Sequence, residues 1–167
     1  MKQIFLSLFI SLIFYPALSQ QSPEGLFINS KAPDFRAKDQ TGMEIHLKDV
    51  LKKGKVVLIF YRGQWCPYCN RQLKKLEDSL QQIISKGATL IAVTPEKPES
   101  ITKTIEKTNA TYSILFDDGL KIMNAYHVAF EVPENTLTQY RNTGIDIEKN
   151  NGTNHCDGIE EWKERKA

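Results

Sequence analysis

The stretch Lys55-Val56-Val57-Leu58-Ile59-Phe60-Tyr61-Arg62-Gly63-Gln64-Trp65-Cys66-Pro67-Tyr68-Cys69 decides how this chain folds. Its first part, Val56 to Tyr61, is an uninterrupted apolar and aromatic run. A half-exposed strand would alternate with polar residues, so the run predicts a strand buried on both faces, the central strand of a sheet. A helical spacing begins almost at once, with Cys69, Leu73, Leu76, Leu80, Ile83 and Ile84 falling three or four apart as far as the stop at Gly87. The next apolar run, Ala88 to Val93, predicts a second strand. Strand, helix and strand form a βαβ unit with a right-handed crossover, and the two cysteines lie in the turn that opens its helix.

That position has chemical consequences. A helix N-terminus favours negative charge, so a thiol there is shifted toward thiolate, the species that attacks a disulfide or a peroxide. Pro67 suits the first helical turn, where its missing N–H has no partner to lose. With the spacing Cys66-x-x-Cys69, a bond formed at one sulfur lies within reach of the other. The pattern reads as redox chemistry, with Cys66, the more exposed thiol at the helix start, attacking and Cys69 resolving. The blander readings are a static disulfide staple and half of a zinc site. A structural disulfide in a secreted protein lies below about −300 mV, whereas catalytic pairs lie at about −270 to −120 mV.

The run Tyr61-Arg62-Gly63-Gln64-Trp65-Cys66-Pro67-Tyr68-Cys69, with Lys31-Ala32-Pro33-Asp34-Phe35 upstream, resembles the alkyl hydroperoxide reductase C / thiol-specific antioxidant (AhpC/TSA, peroxiredoxin-like) branch of the thioredoxin-like superfamily. The resemblance spans roughly Leu26 to Asn151 and implies an α/β thioredoxin-like fold with a central mixed sheet flanked by helices. It also implies a redox-active dithiol, no cofactor and no metal, a peroxide or disulfide substrate, and a thioredoxin-like thiol protein as electron donor. The peroxiredoxin pattern PxxxTxxC, laid over this chain, puts Arg62 at the Pro, Cys66 at the Thr and Cys69 at the attacking cysteine. The dithiol pattern puts the attack at Cys66, so both assignments stay open. Arg62 is expected to hold a thiolate or peroxide oxygen or to pair with a carboxylate, and Trp65 and Tyr68 to shape an exposed contact surface for a partner.

Outward from this centre, Met1-Lys2-Gln3 precedes the apolar run Ile4 to Tyr15, and Ala17-Leu18-Ser19 supplies small residues at its end. One basic residue, an apolar core short for a span and a small-residue site predict a signal peptide over residues 1–19, with export to a periplasmic or extracellular space and no stable membrane span after processing. A membrane anchor is the alternative reading. Disulfides persist in such compartments, where a reductase needs electrons delivered to it.

Removing 19 residues from 167 leaves 148, enough for one domain. It also removes Lys2, so the formal charge falls from +2 to +1. With 22 basic and 20 acidic residues interspersed, nothing argues for nucleic acid as a partner. Residues 20–30 are expected to be a leader, 31–151 the thioredoxin-like domain and 152–167 a polar tail.

Within the domain, the turn signal Asp39-Gln40-Thr41-Gly42 predicts a hairpin, and Leu47 to Lys53 a short helix. Glu99 to Thr108, Leu120 to Tyr126 and Glu134 to Arg141 read as further helices, and Tyr112 to Phe116 as a strand. His46, His127 and His155 show no pattern that requires a catalytic role. A thioredoxin-type sheet, as the resemblance implies, closes with a hairpin entered through a cis-proline that faces the CxxC. From Asn142 onward the apolar residues are too scattered for two core strands. The expectation is a domain lacking that hairpin, marginally stable at an exposed sheet edge, with Cys156 a mobile odd thiol in a tail that forms at most a polar helix. Two further readings follow: a non-catalytic binding module and an inactive truncated relative.

Overall fold

The computed structural model describes residues 23–153 and 155–157, so the expected signal peptide and the helix expected after Asp157 lie outside the described residues. In chain order the elements are β1 (Arg36–Lys38), β2 (Glu44–His46), α1 (Leu47–Leu51), β3 (Lys55–Phe60), α2 (Pro67–Asp78), α3 (Leu80–Ser85) and β4 (Ala88–Thr94). They continue with α4 (Pro98–Thr108), β5 (Ser113–Phe116), α5 (Lys121–Ala125), β6 (Ala129–Glu131), α6 (Glu134–Asn142), α7 (Ile147–Asn151) and β7 (His155–Asp157). β3, β4 and β5 pair in that order as a parallel sheet. The β1–β2 hairpin joins it through an antiparallel bridge between Asp39 and Leu115, which makes the sheet mixed. Asp39 also builds the hairpin's turn, its Oδ1 accepting from the Thr41 N–H at 2.9 Å and the Met43 N–H at 3.1 Å.

The middle strand is β4, which corrects the expectation that the strand before the cysteines would be central. Leu90 to Thr94 are all buried, Leu90 and Ala92 toward one face and Ile91 and Val93 toward the other. Val56 to Phe60 of β3 are only half-buried, because β3 has a ladder partner on one side alone among the described residues. One face of the sheet is covered by α2, α3 and α4 through Leu73, Leu80 and Ile101, together with Tyr112. The other is covered by Phe35, Leu47, Ile122 and Tyr126.

Two helical expectations also change. The single helix after the cysteines breaks at Ser79 (φ −103°, ψ 3°), which separates α2 from α3. The break turns Leu80 back onto the core and leaves Ile84 half-exposed, where an unbroken stripe would have buried it. The segment expected to be a polar tail contains β7, antiparallel to β6 with Cys156 opposite Phe130. Cys156 therefore lies in a paired strand rather than a mobile end. Among the described residues no sheet-closing hairpin follows β5: β6 and β7 pair only with each other, and α6 and α7 lie between them in the chain. These C-terminal elements make a small core of their own from Val132, Leu137 and Ile147, packed against Trp65.

Leu73 is 1 % exposed and lies between α2 and the sheet. Leu73→Ala should lower the unfolding free energy in urea by about 2–5 kcal/mol, while the solvent-facing Lys74→Ala changes it by less than about 0.5 kcal/mol.

Candidate active site

The parallel strands β3 and β4 end side by side, and the loops leaving their C-terminal ends meet. The β3 loop carries Arg62 to Cys66 and feeds α2; the β4 loop carries Pro95, Glu96 and Lys97 and feeds α4. Pro67 occupies the first turn of α2 and Cys66 is its N-cap, with extended backbone angles and a side chain that accepts from the Cys69 N–H at 3.4 Å. Sulfur thus takes the place of the oxygen that usually satisfies a first-turn amide. Arg62 Nη2 donates to the same Sγ at 3.2 Å. Cys66 and Cys69 are not joined by a disulfide.

Cys66 is acidic. Its thiol is pulled from an ordinary value of 9.0 down to about 5, chiefly by the hydrogen bond from the Cys69 side chain. Burial opposes the shift, while the Cys69 N–H and the Arg62 charge reinforce it. For Arg62 the largest influence is burial, which disfavours its charge; the neighbouring sulfurs outweigh it and hold the guanidinium protonated. An anionic sulfur and a guanidinium in contact stabilise each other at a helix N-terminus.

Cys66 is 2 % exposed and Cys69 7 %, so the expectation that Cys66 would be the more exposed thiol is reversed. Both sulfurs lie in the core between α2 and the sheet, with Tyr61, Leu73 and Leu90, while the C-terminal region, which the sequence pattern left as a short helix and a tail, packs against the neighbouring Trp65. The Trp65 ring stacks at a tilt on Tyr140 of α6 at 5.3 Å, and the Arg62 guanidinium lies 5.7 Å from the Trp65 centroid. Trp65 is therefore half-buried rather than a free contact surface. Tyr68, 74 % exposed and within 5.9 Å of the Arg71 guanidinium, does face outward.

α7 grips the same loop. Asn151 Nδ2 donates to Arg62 O at 3.5 Å and His155 O at 3.4 Å, and Gln64 Nε2 donates to Asn150 Oδ1 at 3.5 Å. Asp146 accepts from the Lys149 N–H at the start of α7, and Gly152 (φ +75°) ends it. An Asp three residues ahead of a Lys, with a Gly after the next turn, is the signal from which α7 could have been read. Glu96 is the other residue missed. It is fully buried, and its one sequence signal is its place at the C-terminal end of a parallel strand.

The histidines have partners other than the thiols. His46 is held between Asp34 and Asp49 at 3.0 and 2.9 Å, His127 has a left-handed backbone, and His155 Nδ1 meets Thr153 Oγ1 at 3.0 Å.

Residues 28–149 match the AhpC/TSA family. The chain is 31 % identical over 143 residues to the peroxiredoxin Bcp of Bacillus subtilis, covering 84 % of this chain and 87 % of that one. It is 29 % identical over 106 residues to the thiol-disulfide oxidoreductase ResA of Bacillus cereus, covering 63 % of this chain and 60 % of that one. Among solved structures, the peroxidoxin BcpB of Mycobacterium tuberculosis superposes with a TM-score of 0.58 at 23 % identity, over 62 % of this chain and 67 % of that one, a likeness of fold. A cysteine-bearing helix start on a thioredoxin-like βαβ unit, matched along most of its length, makes this chain a member of the AhpC/TSA family of thiol-dependent oxidoreductases.

Proposed function

We propose that the protein is an exported dithiol oxidoreductase in which Cys66 attacks and Cys69 resolves. The observation that carries this reading is the convergence of the Cys69 thiol and amide and the Arg62 guanidinium on one sulfur, Cys66 Sγ, which favours its thiolate. With a peroxide, the Cys66 thiolate forms an S–O bond as the O–O bond breaks; the leaving oxygen takes a proton and departs as water or an alcohol. The Cys69 thiol then displaces water from the sulfenic acid to form the Cys66–Cys69 disulfide. With a disulfide substrate, Cys66 forms a mixed disulfide and expels one substrate thiolate, and Cys69 expels the other. Either cycle leaves an oxidised pair that a thioredoxin-like dithiol protein reduces, becoming oxidised itself. Arg62 holds the anionic sulfur, and exposed Tyr68 offers an apolar face to the substrate or donor protein. The apolar run from Ile4 and the small residues before Gln20 support export. Among the described residues no helix is long and apolar enough to cross a membrane.

On one preparation, Cys66→Ser should abolish both peroxide consumption and insulin reduction, while Cys69→Ser should accumulate a mixed disulfide with substrate. If Cys69→Ser instead ends peroxide consumption and Cys66→Ser forms a sulfenic acid on peroxide challenge, the attacking role belongs to Cys69. Arg62→Met should raise the Cys66 titration midpoint by about 1–3 units, read from thiolate absorbance at 240 nm. Since a lowered thiol pKa means thiolate persists to lower pH, wild-type Cys66 should alkylate readily at pH 6 and Arg62→Met should not. Intact-mass measurement of protein secreted by its own cells should place the N-terminus at Gln20.

A further inference from the structure

Glu96 lies in a loop between Pro95 and Pro98's helix, yet it is 0 % exposed. A carboxylate without water must find its donors in the protein. Oε1 accepts from the Gln64 backbone N–H at 2.5 Å, and Oε2 accepts from Thr104 Oγ1 of α4 at 3.0 Å. Gln64 is two residues before Cys66, and the Cys66 N–H donates to Gly63 O at 3.0 Å. The bond from Glu96 therefore holds the turn that delivers Cys66 to the head of α2.

The other contacts converge on the same turn. Lys107 of α4 donates to Gln64 O at 3.0 Å and to Gln64 Oε1, and Asn70 Nδ2 donates to Gln64 O at 2.8 Å. Gly63 has φ +151°, and a Cβ there would collide with the Trp65 ring at Nε1 and lie 3.0 Å from Glu96 Oε1, so glycine is what fits between them.

We propose that Glu96 is a positioning residue for Cys66: it clamps Gly63 and Gln64 from beneath, so that the Arg62 guanidinium and the Cys69 amide of α2 meet at Sγ. The inference rests on the reading of Cys66 as the reactive thiol. The charged and titratable groups around the clamp are Tyr61 of β3 and Lys107 of α4, and those around Cys66 are Arg62 and Cys69. The Tyr61 hydroxyl is buried beside the carboxylate, near the Thr94 and Thr104 hydroxyls. Burial pushes the Glu96 carboxyl up, against the Gln64 N–H and the Thr104 hydroxyl.

The test is alkylation of Cys66 by iodoacetamide from pH 4 to 9, resolved from Cys69 by fragment-ion mass spectrometry, in the purified chain and in three variants. Glu96→Ala removes the acceptor. Glu96→Asp keeps the charge but withdraws it by one methylene, and Glu96→Gln keeps an acceptor of the same length without the charge. The midpoint for Cys66 should rise by about one unit in Glu96→Ala and Glu96→Asp, about a fivefold loss of rate at pH 5, and stay within about 0.3 unit of wild type in Glu96→Gln. A residue that supports folding alone would lower the melting temperature without moving these midpoints. Unchanged midpoints in Glu96→Ala and Glu96→Asp overturn the inference, as does a shift in Glu96→Gln as large as in Glu96→Asp. Should Glu96→Ala fail to fold, the Asp and Gln variants decide it. A wild-type Cys66 that titrates near 9 overturns the reading of Cys66 as the reactive thiol and the inference with it, a failure seen before any variant is made.

Discussion

A sulfur caps helix α2, and the remainder of the site follows from keeping that sulfur charged inside the protein. A buried anion is tolerated only when donors replace the water it has lost. Here they are the Cys69 amide, supplied by the helix itself, and the Arg62 guanidinium, supplied by the loop that enters the helix. The arginine must be bent back over a short turn to reach a residue four positions on. The turn has to be stiff, since a displacement of one ångström would break a 3.2 Å contact.

Stiffness comes from three directions. Glu96 holds the Gln64 amide from the end of β4, Lys107 and Asn70 hold the Gln64 carbonyl, and Asn151 holds the Arg62 carbonyl. The short β4–α4 loop brings the first of these in, since parallel strands necessarily end on the same side. The C-terminal elements bring in the last, and they also cover Trp65 through Tyr140. The α6, α7 and β7 region thus closes over the active turn, while the sheet keeps β3 as a half-buried edge. The thiol itself, 2 % exposed, packs with Leu73 and Leu90 in the core between α2 and the sheet.

The βαβ unit was legible because its signals are local and redundant: an apolar run, a helical stripe, Pro67 in the first turn and Gly87 at the stop. The same local logic found the Asp39 turn and α4. It misplaced the centre of the sheet, because β3 and β4 are both apolar runs and strand order depends on contacts far apart in sequence. It missed the break at Ser79, where the stripe keeps its spacing across a change of axis. It also left Asn142 to Asp157 as mostly irregular, since the apolar residues there, Ile145 and Ile147 among them, are too few to show a period. They gain a partner only once Trp65 is beside them.

By itself, the sequence determined that two thiols start a crossover helix and that the chain carries thiol chemistry, because a CxxC spacing at a strand-to-helix turn is a property of neighbouring residues. Which sulfur gathers the donors, how deeply it is buried and what holds the turn were decided only by the tertiary structure. Glu96 reaches Gln64 across 32 positions and Asn151 reaches Arg62 across 89. Hydrogen bonds over such separations leave no periodicity in a sequence. They exist because the sheet ends two loops at one place and the C-terminal helices cover it.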